Sequence, residues 1–161
     1  GDVYKRQLQC LLPRRGTWAE VVADPTLIPN AIEEVLRFNS SQISWRRITT
    51  RDTTLGGYEI PAGTSIFLNF ASANRQPDIW DEPDTFDIHR ANANQHISFG
   101  KGVHYCLGAR FAKFEAQLMT EALAERIPSL RLPEPQSFSY FPNITFRGPN
   151  ALHVEWDEEA R

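Results

Sequence analysis

The chain has 161 residues, 41% hydrophobic and 23% charged, a composition that supports a globular core and excludes disordered and fibrous classes. Seventeen basic and 20 acidic residues give a net charge of −3, too little field of either sign to gather nucleic acid or an anionic membrane surface, so a small neutral organic molecule is the better-matched ligand class. The two cysteines, Cys10 and Cys106, form neither a disulfide framework nor a paired metal-binding spacing, and no run nears the ~18 apolar residues of a membrane span; the visible segment reads as cytoplasmic.

The opening, Gly1-Asp2-Val3-Tyr4-Lys5-Arg6-Gln7, carries no apolar period and is expected to be neither helix nor strand. Asp-Val-Tyr-Lys-Arg-Gln resembles the translation of a transposon-end adapter used in sequencing libraries, so residues 1–7 are set apart as an artefact and residues 8–161 as the domain. From Leu8 to Ala23, Pro13 and Gly16 break the pattern, which predicts a helix remnant, a turn and a short helix around Trp18–Val22. Residues Pro29–Phe38 set Ile32, Val35 and Leu36 at helical spacing, with Glu34 and Arg37 one turn apart. Ile43–Thr50 reads as a strand, Thr53–Ile60 as a hairpin turning at Gly56-Gly57, and Ile66–Phe70 as a further strand pairing with it before a short helix.

Residues 75–95 are interrupted by Pro77 and Pro83 and lack a period, but Trp80, Phe86 and Ile88 can anchor them, which favours a packed, functional loop over disorder. A long helix is predicted from Leu107, through Phe111, Phe114, Leu118 and Ala122, to its end at Pro128. In the tail, Ile144–Phe146 and Leu152–Trp156 read as a strand pair around Gly148-Pro149.

The segment Phe99-Gly100-Lys101-Gly102-Val103-His104-Tyr105-Cys106-Leu107-Gly108 delivers one cysteine to the start of that helix. A thiolate is the metal-binding form of cysteine, and a helix N-terminus, with its free N–H groups and positive dipole end, favours it. The glycines let the backbone run close around the sulfur and beneath a flat macrocycle, where a side chain would collide. One cysteine can supply only one position on iron, which suits a haem whose equatorial ligands belong to the cofactor.

Phe-Gly-x-Gly-x-His-x-Cys-x-Gly over residues 99–108 resembles the haem-binding signature of the cytochromes P450 at all six fixed positions, a match expected by chance at a given start on the order of 10⁻⁸. Glu34-Val35-Leu36-Arg37 is similar to the family's Glu-x-x-Arg, and Ala73-Asn74-Arg75 through Phe86-Asp87-Ile88-His89-Arg90 to its meander. The resemblance implies an α+β, mostly α fold, here its C-terminal portion with small β-sheets. The N-terminal half and the distal helix that delivers protons to bound oxygen lie outside the resemblance.

Residue by residue, the resemblance makes Cys106 the thiolate ligand of haem b (iron protoporphyrin IX), and Phe99 the aromatic neighbour of the sulfur. Gly100, Gly102 and Gly108 complete the loop, and His104 donates to a propionate. Arg47 takes the place of a propionate-binding arginine, with the adjacent Arg46 as the alternative. Glu34 and Arg37 become a structural ion pair. Its third partner is read as Arg90, although many relatives carry an arginine where Thr85 stands. Substrate contacts are expected from 39–46 and 139–144. The implied activity is haem-thiolate monooxygenation of a small organic substrate, fed by a ferredoxin-type donor with an NAD(P)H-dependent reductase.

Competing readings weigh less. For an arbitrary cysteine a small buried hydrophobe is the commoner role, and the loop around Cys106 reverses that preference. Zinc at His96, His104 and Cys106 lacks a fourth ligand at usable spacing. A dinucleotide fingerprint at Gly100 and Gly102 meets Tyr105 where its third glycine belongs. A non-catalytic haem-binding paralogue and a haem-thiolate peroxygenase or isomerase stay open. Lys101 and Arg110 could face an acidic electron carrier or be scattered surface charges. The helix face of Leu107, Phe111, Leu118 and Ala122 is expected to be left uncovered, so that the piece alone neither folds stably nor turns over substrate.

Overall fold

Helix α3 (Ile28–Phe38) is the axis on which the other elements pack, and its sequence explains why: Ala31, Ile32, Val35 and Leu36 are buried, and so are Glu34 and Arg37 on the same helix. A helix buried on nearly every side needs partners for its polar groups as well as for its apolar ones. The computed structural model describes residues 2–157. Gly1, the first residue of the expected adapter segment, and residues 158–161, the end of the expected domain, lie outside the described residues.

Two helices precede α3. Helix α1 spans Asp2–Leu11 and α2 spans Arg15–Ala23; Asp24 then accepts from the Thr26 N–H at 3.0 Å to start a 3₁₀ turn over Pro25–Leu27 that leads into α3. Leu8, Cys10 and Leu11 of α1 and Trp18 and Val21 of α2 enter the same core as Ile28, Ile32 and Val35. The Trp18 indole N–H donates to the Pro128 carbonyl at 2.9 Å, tying α2 to the far end of the chain.

The helix over residues 2–7 corrects the expectation of no regular structure there. Arg6 and Gln7 are buried without being apolar, so no period appears in the sequence. Arg6 donates to the Asn39 carbonyl at 2.8 Å and the Ser40 carbonyl at 2.5 Å, and Gln7 to the Ala116 carbonyl at 3.2 Å and to Thr120 Oγ1. Likewise Gly16 lies within α2 rather than breaking it.

Strand β1 (Ser44–Ile48) pairs antiparallel with β4 (Ser65–Asn69), in a register that sets Trp45 opposite Leu68 and Arg47 opposite Ile66. Between them β2 (Thr53–Leu55) and β3 (Tyr58–Ile60) form a separate hairpin, with Gly56 and Gly57 at φ +58° and +83°. Positive φ at both central positions twists the turn to match its strands. The expected pairing of 66–70 with this hairpin is therefore corrected. The strand beyond the hairpin returns to β1, because the hairpin is a protruding excursion between two strands that share a face of the site. Asn69 caps the short helix α4 (Phe70–Ala73), its Oδ1 accepting from the Ser72 N–H at 3.1 Å.

From Asn74 to Phe99 the chain is irregular yet well packed: Trp80, Phe86 and Ile88 are buried, as their spacing in a proline-interrupted stretch suggested. Helix α5 spans Ala109–Arg126 and packs against α3, with Ala116, Thr120 and Ala124 buried. It begins two residues later than Leu107 because Cys106–Gly108 form a turn in which the Cys106 carbonyl accepts from Ala109 at 3.2 Å. The tail also departs from expectation. Residues 144–146 and 152–156 do not pair with each other; Phe146 bridges to Gln42, Glu155 to Arg131 and Pro149 to Tyr140. Each segment finds a carbonyl or amide on an already packed element, and that satisfies its backbone without a ladder. The fold is thus α+β and mostly helical, as the sequence implied.

The buried carboxylate of Glu34 joins these parts. Arg37 pairs with it through Nε at 2.6 Å and Nη2 at 2.8 Å, Arg90 Nε approaches at 3.2 Å, and the Asp87 N–H donates at 2.9 Å. Removing one member of a buried pair strands the other, at a cost of ~3–5 kcal/mol. Arg37→Ala in the whole protein that contains this chain is expected to lower the free energy of unfolding, read by denaturant titration, by that order or to prevent folding, while Arg131→Ala, at a half-exposed pair with Glu155 and Asp157, changes it little.

Candidate functional site

The loop before α5 turns twice through backbone that favours glycine: Gly100 has φ +75° and Gly102 has φ +73°. The Gly100 N–H donates to the Ile97 carbonyl at 2.9 Å, the Tyr105 N–H to the Gly102 carbonyl at 3.0 Å, and the Cys106 N–H to the Phe99 carbonyl at 2.9 Å. This last bond closes residues 99–106 into a loop with Cys106 at its exposed lip. Gly108 follows as the residue that starts α5, and a methyl group there would stand 4.0 Å from the Cys106 sulfur.

Exposed Cys106 lines an open cavity of about 690 Å³, walled further by Trp45, Arg47 and Leu68 of the β1–β4 sheet, by Phe70, and by Phe99, Gly100, Lys101 and His104 of the loop. Strand alternation sends Trp45 and Arg47 to the same side of β1 and Arg46 to the other, so the cavity wall takes Arg47. Beside the loop, Val103 and Leu107 are almost fully exposed, and Phe111, Phe114 and Leu118 continue an uncovered apolar face along α5, while Ala122 is half-buried. An exposed cysteine, flanking apolar surface, a glycine-lined backbone and two nitrogen donors, Arg47 and His104, fit a flat apolar group with anionic edges that would take one sulfur ligand. Among the described residues no three His, Cys, Asp or Glu side chains gather to hold a bare metal ion.

The other cysteine behaves differently. Burial pushes the Cys10 thiol up to about 11, against which a hydrogen bond with Asn39 and the charges of Arg14, Arg6 and Arg75 act weakly, so this thiol stays protonated in the core.

Glu34, Arg37 and Arg90 gather in one cluster away from the cavity wall. Arg90 also donates to the carbonyls of Asp81, Glu82 and Thr85, and Arg37 to those of Asn74, Pro83 and Thr85. Position 85 thus serves both arginines through its backbone.

Sequence reading assigned no role to Glu33, His96 or Lys113, which form a second bridge. His96 Nδ1 accepts from the Ser98 N–H at 3.1 Å, leaving Nε2 to donate to Glu33 at 3.0 Å; Lys113 of α5 donates to the same carboxylate at 2.7 Å. Both side chains border Phe99, the His96 ring at 5.8 Å and the Lys113 ammonium at 5.9 Å from its centre. Only chain folding brings residues 33, 96 and 113 together, so no local pattern could flag them.

With this geometry the comparisons with known proteins agree. The family model described as Cytochrome P450 matches residues 12–127. A steroid C26-monooxygenase of Mycolicibacterium smegmatis is 41% identical over 93% of this chain and 37% of its own length. A vitamin D3 dihydroxylase of Streptomyces griseolus is 38% identical over 91% of this chain and 36% of its own length. The crystal structure of a P450 haem domain from Tepidiphilus thermophilus superimposes with a TM-score of 0.93 at 44% identity, over 97% of this chain and 37% of that one. The chain belongs to the cytochrome P450 family, and it spans a little over a third of the length of these relatives, 36–37%. No helix among the described residues is long and apolar enough to cross a membrane.

Burial would push the Glu33 carboxyl up, but the hydrogen bonds from His96 and Lys113 and their charges outweigh it and hold the group below the ordinary glutamate value. A carboxylate depressed on folding contributes stability that is complete above its unfolded pKa and is lost as pH falls through its folded one. Stability of the whole protein should therefore drop on acidification from about pH 6 to about pH 3 more steeply than that of Glu33→Gln, the two curves converging at the acid end.

Proposed function

We propose that this chain is the ligand-bearing C-terminal part of a haem-thiolate monooxygenase that inserts one atom of dioxygen into a small organic substrate. The observation that carries the reading is exposed Cys106, its backbone held by its own N–H to the Phe99 carbonyl, on the wall of a cavity that also takes Arg47 and His104. When bound, haem supplies dioxygen activation, which a thiolate ligand favours by donating electron density. Cys106 offers the sulfur, and the dipole of α5 favours its anionic form. Arg47 and His104 orient the group by pairing with its propionates. Phe99 shields the sulfur from water on the loop side, and Gly100 and Gly102 keep side chains from the approach of the ring. Trp45, which stacks edge-on against Phe146 at 6.4 Å, and Gln42 border the cavity where residues 39–46 were expected to meet substrate. From 139–144, the Ile144 carbonyl accepts from Ser44 Oγ at 2.5 Å and so steadies that wall.

A ferredoxin-type carrier with an NAD(P)H-dependent reductase is the proposed electron source, and a cytoplasmic location the proposed setting. Glu34, Arg37 and Arg90 are assigned a structural role, since their polar atoms are spent on each other and on carbonyls. The carbon monoxide difference spectrum of the reduced whole protein tests the reading. A Soret band red-shifted to the thiolate-ligated position, lost in Cys106→Ser, is the expected result; haem-loaded protein without that band would overturn it.

Residues 1–7 we assign to a library adapter, with residues 8–161 the family domain. The wording of the segment alone carries this assignment, for Arg6 and Gln7 are buried and bonded to Asn39, Ser40, Ala116 and Thr120 like residues of the domain. Nucleotides at this junction should read as the adapter in raw sequence and be replaced by other codons in an independent clone of the same gene. The same seven codons in both would overturn the assignment.

A further inference from the structure

Asn74 is only 1% exposed, and each polar atom of its side chain is committed to the chain just ahead of the cysteine loop. Its Oδ1 accepts from the Ile97 N–H at 2.9 Å, and its Nδ2 donates to Ser98 Oγ at 2.8 Å. Ser98, itself buried, donates its hydroxyl hydrogen bond to the Leu36 carbonyl of α3 at 2.6 Å. On the other side, the Asn74 carbonyl accepts from Arg37 at 3.0 Å. One residue therefore connects the Glu34–Arg37 pair to the two residues before Phe99.

We propose that Asn74 is a positioning residue for Cys106, acting through Ile97, Ser98 and Phe99; the proposal rests on the haem-thiolate reading above. The chain of contacts is short and each link is directional. Asn74 holds the Ile97 N–H while the Ile97 carbonyl accepts from Gly100, which fixes the peptide on both sides. Phe99 follows, and its carbonyl accepts the Cys106 N–H that orients the sulfur-bearing residue.

The side-chain chemistry demanded at position 74 is specific: one acceptor and one donor, one methylene from the backbone, in a site closed to water. Aspartate at that position keeps the acceptor and loses the donor, alanine loses both, and glutamine carries the pair a carbon too far. Because the contacts are to a backbone amide and a hydroxyl, Asn74 acts by placing the loop and not by adding charge near the sulfur. Loss of its bonds leaves the Ile97 N–H unpaired, takes from Ser98 Oγ the donor it accepts from, and releases the peptide that begins the loop.

The test uses the whole haem-loaded protein that contains this chain, with Asn74→Asp, Asn74→Ala and Ser98→Ala. Thr120→Val serves as a control that removes a buried hydroxyl of α5 bonded away from the loop, to the Ala116 carbonyl. Two quantities are read: thermal stability, and the rate at which the reduced carbon monoxide complex converts from the thiolate-type to the thiol-type Soret band under mild heating. Conversion should be roughly tenfold faster in Asn74→Ala, the factor corresponding to one lost buried hydrogen bond, with Asn74→Asp and Ser98→Ala between it and the parent. Thr120→Val should lose stability yet convert at the parent rate.

If Asn74→Ala loads no haem, the two milder variants decide. Asn74→Asp and Ser98→Ala converting no faster than Thr120→Val at similar stability loss would overturn the proposal, leaving Asn74 a structural residue of the meander. Absence of the thiolate-type band in the parent would instead overturn the haem-thiolate reading, and the proposal with it.

Discussion

A carboxylate with no exposed surface has to be surrounded by donors, and in this chain that requirement decides the course of the irregular segment that begins at Asn74. Glu34 lies within α3, where water cannot reach it, and helix geometry brings it only Arg37. The remaining donors come from the Asp87 N–H and from Arg90, more than fifty positions away in sequence, so the irregular segment from Asn74 onward must double back across α3. Once there, its carbonyls at 74, 81, 82, 83 and 85 absorb the other guanidinium N–H groups. An ion cluster of this kind is weak as a source of net stability but strict about geometry, because any partner left out of place is buried and unpaired. Apolar anchors then act on a path already drawn: Trp80 lies under Arg37 at 5.3 Å, and Phe86 packs edge-on against Phe38 at 5.4 Å.

This division explains what could be read from the amino-acid order. Helix α3, helix α5 and the Gly56-Gly57 hairpin were legible because each advertises itself within a dozen residues, by apolar period or by a turn that demands positive φ. The cysteine loop was legible for the same reason: its glycines, histidine and cysteine are local. Helix α1 was not, since Arg6 and Gln7 fill its inward face with long polar side chains whose ends bond to carbonyls of other elements. Nor were the tail bridges, whose partners at Gln42, Arg131 and Tyr140 are fixed only after the helices have packed. The ambiguity between Thr85 and Arg90 has a physical root as well. Position 85 does take part in the cluster, through a carbonyl that every residue type possesses, so a side-chain pattern cannot reveal it.

The two cysteines illustrate how environment divides one chemistry into two roles. Cys10 sits in the core among Leu8, Leu11 and Trp18, where burial favours the neutral thiol. Cys106 stands outside the core on a loop whose backbone leaves its sulfur open, next to side chains as exposed as Val103 and Leu107. Such surface is costly to leave in water.

The alternation of β1 carries a further consequence for how this part of the chain can vary. Trp45 and Arg47 share the cavity side while Arg46 points away, and the Ser44 side chain and backbone are tied to Ile144 and Thr145. A single residue gained or lost between α3 and β1 would, if the ladder re-formed one step over, turn Arg46 inward and carry Trp45 and Arg47 to the outer face. The count of residues separating these positions from Arg37 therefore matters to the cavity as much as their identity does. The span from residue 38 to residue 44 is therefore a measured spacer, closed to changes of length, unlike the Gly56-Gly57 hairpin tip, where added residues would extend into solvent.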